Sequence, residues 1–234
     1  MESSYSQEGV RFVNRKAVKL GVGVAAVLAL VLAGAQLFWV NQSAPQASPS
    51  ADDDYFKGLV TAGTTIGPAD APVLVEEYMD FQCPACQIAA EQIVKPLIQE
   101  YVAQGKVRFA YRFFPFLGPE SVAAAKAAYC AATQNAFWPY QQVLFAQRGT
   151  GNRGAYSDAN LLKYAEQIGL DVQQFQACYE SEDAAVYAEG SFQRARQLGI
   201  PGTPTFFVNG RAVNVGSYAA LVREVEAALR QSGQ

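Results

Sequence analysis

The sequence predicts an α/β fold with a run of helices inserted between the strands of its sheet, preceded by one N-terminal transmembrane helix. Three observations lead to this prediction. Residues 20–40 contain no charged side chain. Mostly apolar runs at residues 73–78, 107–113 and 205–208 have the length and composition of strands. Residues 120–180 repeat apolar side chains at helical spacing. The mixture of strands and one long helical block favours a single α/β domain outside the membrane.

The apolar stretch from Leu20 to Val40 is long enough, at about 1.5 Å per residue, to cross a hydrocarbon core of roughly 30 Å. Residues 1–19 carry four basic side chains, and three aspartates follow at residues 52–54. The positive-inside rule therefore places the N-terminus in the cytoplasm and the rest of the chain outside a bacterial cell membrane, with a single pass.

A cleaved signal peptide is an alternative interpretation, because the small residues 33–35 have the form of a cleavage site. The apolar sequence continues to Val40, however, and Trp39 suits the outer interface of a spanning helix, so an uncleaved anchor is favoured. A buried core helix is a weaker third interpretation. Both export interpretations allow stable disulfides in the domain that follows.

The chain divides into four predicted parts. Residues 1–19 are a cytoplasmic N-terminus, residues 20–40 a transmembrane signal-anchor, and residues 41–54 a flexible linker rich in Ser, Ala, Pro, Gln and Asp. Residues 55–234 form the folded domain, with its helical insertion at about residues 119–182.

Charge and composition exclude several classes of function. The net charge is −3 and no basic stripe is present, so a nucleic-acid partner is not expected. The chain has no histidine, which excludes Ser-His and Cys-His catalysis and removes the commonest metal ligand. No metal and no cofactor are expected.

The motif C-P-A-C at residues 83–86 lies between the predicted strand and a predicted helix. The amides and dipole at the start of a helix favour a thiolate, so Cys83 is the predicted nucleophile of a redox pair and Cys86 its resolving partner. Pro84 fits the first helical position, where a missing N–H costs nothing. Half of a zinc site is the alternative, but it needs two more ligands from a chain without histidine.

Cys130 and Cys178 lie near the two ends of the predicted helical insertion. In an exported chain with four cysteines, a structural disulfide between them is the favoured interpretation. Two separate buried thiols and a second catalytic pair are the alternatives.

Two motifs in order identify a family. The phrase D-F-Q-C-P-A-C at residues 80–86, followed after the helical block by G-T-P-T-F-F-V-N-G at residues 202–210 and a last helix, resembles the DsbA-like thiol-disulfide oxidoreductases of the thioredoxin superfamily. It is most similar to their membrane-anchored bacterial branch of BdbD-type proteins. The resemblance covers roughly residues 68–229.

This resemblance implies a thioredoxin fold with an inserted helical domain and assigns roles to three more residues. Pro204 is expected to follow a cis peptide bond beside Cys83, and the Thr203 backbone to bind extended substrates. Glu77 is expected to be a buried acid that exchanges protons with Cys86, with Glu76 on the opposite face of the strand. The alternatives are an ordinary proline at a strand entry and a solvated glutamate at a strand end.

The resemblance also implies a function. The protein is expected to be a membrane-tethered oxidoreductase that introduces disulfides into unfolded or reduced exported proteins through Cys83 and Cys86. A quinone-linked membrane partner, DsbB-like or similar to vitamin K epoxide reductase, would reoxidise it. A disulfide reductase or isomerase is the alternative within the enzyme class, and a non-catalytic thioredoxin-fold binding module is the alternative outside it.

One residue departs from the pattern of the strongest oxidants in this family, which have His where this chain has Ala85. A histidine there supplies a hydrogen-bond donor and a positive charge to the neighbouring thiolate. We therefore predict that Ala85→His raises the reduction potential, by about 30 mV for each tenfold gain in stabilisation of the reduced form. Equilibration against glutathione measures the reduction potential, and an unchanged value in Ala85→His would contradict this prediction.

Overall fold

The computed structural model describes residues 54–233. The predicted cytoplasmic segment, the transmembrane signal-anchor with its signal-peptide alternative, and nearly all of the linker lie outside the described residues. Among the helices of residues 54–233, none combines the length and apolarity needed to cross a bilayer.

A mixed sheet of six strands forms the centre of the described domain, in the spatial order β1-β2-β4-β3-β5-β6. The central strand β3 pairs in parallel with β4 and antiparallel with β5. The predicted α/β fold is confirmed. The strands are β1 Thr61–Ala62, β2 Thr65–Ile66, β3 Val73–Met79, β4 Val107–Phe113, β5 Thr205–Val208 and β6 Arg211–Val213.

Seven helical elements connect and cover these strands within residues 54–233. The predicted insertion at about residues 119–182 contains four of them, α2 to α5, and α6 begins at its end. The elements after α1, which spans residues 84–102, are α2 Pro119–Thr133, α3 Phe137–Ala146, α4 Asp158–Gln167, α5 Val172–Tyr179, α6 Glu182–Gln197 and α7 Tyr218–Gln231.

The helix that starts at Pro84 is not the uninterrupted α-helix that the sequence predicts. Segments Pro84–Ala89 and Lys95–Leu97 are α-helical, whereas Ala90–Val94 and Ile98–Val102 are π-helical. Pro96 lies inside this run, where it has no N–H to donate and its ring crowds a carbonyl of the preceding turn. The wider turn before it, at Ala90–Val94, accommodates the proline, so α1 remains continuous while its backbone pattern changes.

The hydrophobic core lies against the central strands. Val73, Val75 and Met79 of β3 are fully buried. Helix α7 packs against β3, β5 and α1, and its Leu221 and Val225 are also fully buried. Alternate residues of a strand point to opposite faces, so the side chains of β3 are divided between two packed layers.

A hairpin joins β5 to β6, with Asn209 and Gly210 at its turn. Both have positive φ, 47° and 77°, which a tight turn of this kind requires. The Asn209 side chain also accepts a hydrogen bond from Leu74 N at 2.8 Å, and Asn209 N donates to Leu74 O at 2.8 Å. The hairpin is thereby attached to the start of β3. The second strand of the hairpin, β6, ends at Val213.

Serine occupies the N-cap position of both α7 and α4, but only one of the two side chains caps its helix. The Ser217 hydroxyl accepts a hydrogen bond from Ala220 N at the start of α7. Ser157 occupies the N-cap position of α4, but its side chain makes no capping hydrogen bond. At that end of α4 the Asn160 side chain donates instead to Gly154 O at 2.7 Å.

A disulfide joins Cys130 of α2 to Cys178 of α5, with a sequence separation of 48 residues. Cys130 is fully buried. The bond closes a long loop that contains α3 and α4, so it constrains the unfolded chain more than a short loop would.

Replacing both residues, Cys130→Ala with Cys178→Ala, should lower the free energy of unfolding by about 4 kcal/mol on the chain-entropy model. Urea unfolding of the variant and the parent protein, both with Cys83 and Cys86 reduced, measures the difference. The titration of Cys83 is an internal control and should not change. A loss below about 1 kcal/mol would contradict a stabilising role for this bond.

Candidate active site

The redox pair lies at the N-terminal end of α1, directly beyond the end of β3. Cys83 occupies the N-cap position with an extended backbone (φ −75°, ψ 119°), and Pro84 is the first helical residue. Cys83 is 7% exposed and Cys86 is fully buried. Both are free thiols. The arrangement leaves Cys83 as the sulfur that a large substrate can reach.

The Thr203–Pro204 peptide bond is cis and lies beside Cys83. The Cys83 thiol donates a hydrogen bond to Thr203 O at 3.4 Å. Strand pairing explains the approach, since Tyr78 near the end of β3 is opposite Thr205 at the start of β5. The residues just before β5 therefore meet the turn that follows β3.

Several hydrogen-bond donors surround the Cys83 sulfur. The Cys86 thiol lowers the pKa of Cys83 most strongly, burial opposes it, and Thr203 and the amides of Cys86 and Ala85 lower the pKa further, to about 5. The Thr203 hydroxyl is buried and has no hydrogen-bond partner within residues 54–233, so it can turn toward an ionised sulfur. Cys83 is therefore a thiolate at neutral pH.

The pKa values of Cys86 and Glu77 are shifted upward, opposite to that of Cys83. Burial raises the pKa of Cys86, and the hydrogen bond to Cys83 and the charge of Glu77 raise it further. Burial, and then the charge of Cys83, hold the pKa of Glu77 well above its usual range. Neither carboxylate oxygen of Glu77 has a hydrogen-bond partner among the described residues. Glu77 is thus placed to take or give a proton when Cys86 becomes the attacking or leaving sulfur.

Glu76 lies on the other face of β3, as expected from strand alternation. Its carboxylate accepts a hydrogen bond from Arg112 Nε at 2.7 Å. Arg112 is on β4, and this ion pair is partly exposed. Glu76 therefore links β3 to β4 and is not part of the redox site.

The structure brings together Cys83, Cys86, Thr203, Pro204 and Glu77, whereas Cys130 and Cys178 form a separate bond in the helical insertion. That bond occupies the two sulfurs that the zinc alternative needed. Within residues 54–233 no group of three His, Cys, Asp or Glu side chains could hold a metal ion.

Sequence reasoning missed a set of buried polar residues next to the pair. Asp80, Gln82 and Ser121 are 2%, 5% and 1% exposed, respectively. Asp80 and Gln82 belong to the motif that indicated the family, which was the available signal. Their partners could not be read from the sequence, because Ser121 is 41 residues from Asp80.

A thiolate of low pKa, a buried resolving thiol and a cis-proline loop in one place define a protein of the thiol-disulfide exchange class. In this class of reaction the disulfide of one protein becomes two thiols while two thiols of its partner become a disulfide.

The comparisons with known proteins agree with this class. A family model described as thioredoxin matches residues 60–227. The probable disulfide bond formation protein D of Bacillus anthracis is 30% identical over 154 residues, which cover 64% of this chain and 71% of that protein. The structure of oxidised BdbD from Bacillus subtilis has a similar fold, with a TM-score of 0.66, 22% identity, and coverage of 79% of this chain and 97% of that one.

The Na(+)/H(+) antiporter NhaA 3 of Salinispora tropica is 36% identical over 170 residues, 70% of this chain. The chain spans about a quarter of that antiporter, since the match covers 25% of its length. The chain belongs to the thioredoxin family, in the group that includes the probable disulfide bond formation protein D of Bacillus anthracis.

The environment of Cys83 predicts a specific titration. The ultraviolet absorbance of its thiolate in the reduced protein should appear with a midpoint near pH 5, and Cys83→Ser should abolish it. Cys86→Ala should move the midpoint upward by about one unit or more, because it removes the strongest donor. A midpoint near the unperturbed thiol value of about 8.5 in the parent protein would contradict this description of the site.

Proposed function

We propose that the protein is a membrane-tethered, extracytoplasmic thiol oxidase that introduces disulfides into exported proteins. The lowered pKa of Cys83, about 5, is the observation that carries this proposal. A stabilised thiolate favours the reduced form of the pair, which makes the disulfide form an oxidant. Ala85 stands where the strongest DsbA-like oxidants have a histidine beside this thiolate, so we infer an oxidant weaker than those proteins.

The proposed reaction begins with the oxidised pair. A substrate thiolate attacks the Cys83 sulfur, which forms a mixed disulfide and releases Cys86 as a thiolate. Cys86 then takes a proton, for which Glu77 is the nearby exchanging group. A second substrate thiolate attacks the substrate's own sulfur in the mixed disulfide. The substrate leaves with a disulfide, and Cys83 leaves as the good leaving group that its low pKa makes it.

The cis-proline loop is the proposed substrate-binding edge. When Cys83 is protonated, its thiol donates to Thr203 O. An ionised or bonded sulfur has no proton to donate, so Thr203 O then becomes available to an amide of an extended substrate. This pairing would hold the substrate as an added strand beside Pro204.

Location and partners belong to the same proposal. The apolar stretch at residues 20–40 supports a tether, and the name of the Bacillus anthracis relative supports a role in disulfide formation. A quinone-linked membrane protein, DsbB-like or similar to vitamin K epoxide reductase, would accept the electrons. A shared membrane would keep the two at high effective concentration. Ion transport is not proposed, because the chain spans about a quarter of the antiporter it matches.

A disulfide reductase is the second candidate, and Ala85 is the observation that favours it. Its methyl group provides neither a side-chain donor nor a charge next to the Cys83 thiolate, which limits the stabilisation of the reduced form. A purely binding role explains neither the low pKa of Cys83 nor the buried acid beneath Cys86.

The reduction potential of the pair distinguishes oxidase from reductase. We expect a value between about −120 and −180 mV when the purified protein is equilibrated with glutathione. A value near −270 mV, similar to that of thioredoxin, would instead support a reductase that needs an electron donor. Cys83→Ser with Cys86→Ser is the control, and it should show no redox transition.

A further inference from the structure

The carboxylate of Asp80 accepts four hydrogen bonds although it is only 2% exposed. Its Oδ1 accepts from Gln82 N at 2.8 Å and from the Ser121 hydroxyl at 2.7 Å. Its Oδ2 accepts from Phe116 N at 3.0 Å and Leu117 N at 3.1 Å. One side chain thus joins the turn after β3, the loop after β4 and the first turn of α2.

The backbone of Asp80 holds the nucleophile itself. Asp80 O accepts a hydrogen bond from Cys83 N at 3.0 Å, which closes the turn at residues 80–83. The side chain holds Gln82 N and the main chain holds Cys83 N, so both amides at the end of the turn bond to Asp80. The Asp80 amide also donates a hydrogen bond to the Cys86 sulfur. The position of this one residue therefore affects both cysteines.

A second layer fixes the same turn to the helical insertion. The Gln82 side chain donates to Ser121 Oγ at 2.8 Å, and Ser121 in turn donates to Asp80, which closes a ring. Asn152 N donates to the Gln82 side-chain oxygen, and Gln82 Nε2 donates to Asn152 Oδ1 at 3.2 Å. The turn consequently cannot rotate without breaking bonds to α2 and to the loop before α4.

We propose that Asp80 is a positioning residue of the redox pair, whose carboxylate locks the turn at residues 80–83 so that the Cys83 sulfur points at its hydrogen-bond donors. Three of these donors, the Cys86 thiol and the amides of Ala85 and Cys86, belong to the first turn of α1. The Cys83 backbone must be held at its extended N-cap angles for the sulfur to reach them. Asp80 does not touch a substrate, so its effect acts through Cys83.

Positioning and direct charge make opposite predictions. An ionised carboxylate that acted on Cys83 by charge would raise the pKa of Cys83, since like charges repel. Its removal would then lower the pKa. If Asp80 instead orients the Cys83 sulfur toward its donors, removal of the Asp80 carboxylate weakens those hydrogen bonds and raises the pKa of Cys83.

The test uses Asp80→Ala and Asp80→Asn in the full protein, with the thiolate titration and the reduction potential as measurements. We expect Asp80→Ala to raise the pKa of Cys83 by about one unit. The reduction potential at pH 7 should fall by about 30 mV for that tenfold loss in stabilisation of the reduced form. Asp80→Asn should lie between the parent and Asp80→Ala, because its Oδ1 can still accept from Gln82 N while its Nδ2 cannot accept from Phe116 and Leu117.

Glu120 offers a matched control in the same part of the fold. Its carboxylate accepts from Gly154 N at 2.6 Å and Tyr156 N at 2.8 Å, and it makes no described contact with residues 80–83. Glu120→Gln and Glu120→Ala should lower the stability of the insertion but leave the titration of Cys83 unchanged. Ser121→Ala removes one of the four donors to Asp80, so it should give a smaller shift in the same direction as Asp80→Ala.

The Cys83 midpoint in the Asp80 variants distinguishes a positioning role from a purely structural role and from direct charge. If the Asp80 variants lose stability but keep the Cys83 midpoint within a few tenths of a unit, as the Glu120 variants should, the proposal is overturned. A lowered midpoint also overturns it, in favour of direct charge. If Asp80→Ala does not fold, Asp80→Asn and Ser121→Ala decide by the same criterion.

The proposal deepens the proposed function and rests on Cys83 being its reactive sulfur. The two can nevertheless fail separately, because the thiolate titration does not depend on the direction of electron flow. A parent potential near −270 mV would refute the oxidase, whereas an unshifted titration in the Asp80 variants would refute the positioning role.

Discussion

The stabilisation of a negative sulfur at the start of α1 is the interaction on which the rest of the site depends. A charge in a nearly closed, mostly apolar site is costly unless its hydrogen-bond donors are already in place. The thiol of Cys86 and two backbone amides provide these donors for Cys83. Burial alone would have produced the reverse, an inert protonated thiol, so the geometry of the donors decides the chemistry.

The strand β3 determines where these parts meet. It carries Glu77 beneath the pair, continues into the turn that presents Cys83, and pairs with β5, which directly follows Pro204. A shift of one residue in the pairing of β3 with β5 would turn alternate side chains to the wrong face and move Thr203 away from the sulfur. The Asn209 side chain, bonded to Leu74, holds the other end of this register.

Much of this organisation could be predicted from the sequence, because strands and helices follow from local periodicity and the family motif fixed their order. The π-helical turns of α1 could not, since how a helix absorbs Pro96 depends on its packing. From the sequence, a structural disulfide between Cys130 and Cys178 was one of three alternatives, beside separate thiols and a second catalytic pair. The structure shows the disulfide, because folding brings α2 and α5 together. The hydrogen bonds to the Asp80 side chain from residues 116, 117 and 121 could not be predicted either. They join segments 36 to 41 residues apart, so no local sequence pattern indicates them.

The disulfide between Cys130 and Cys178 has a consequence for how the protein is made. Four cysteines in a newly synthesised chain allow three complete pairings, and only one of them contains this bond. Cys83 and Cys86 are nearest in sequence and close first on loop entropy alone. Once Cys83 and Cys86 are paired, Cys130 and Cys178 are the two thiols that remain, so the bond seen in the structure is the one left to form.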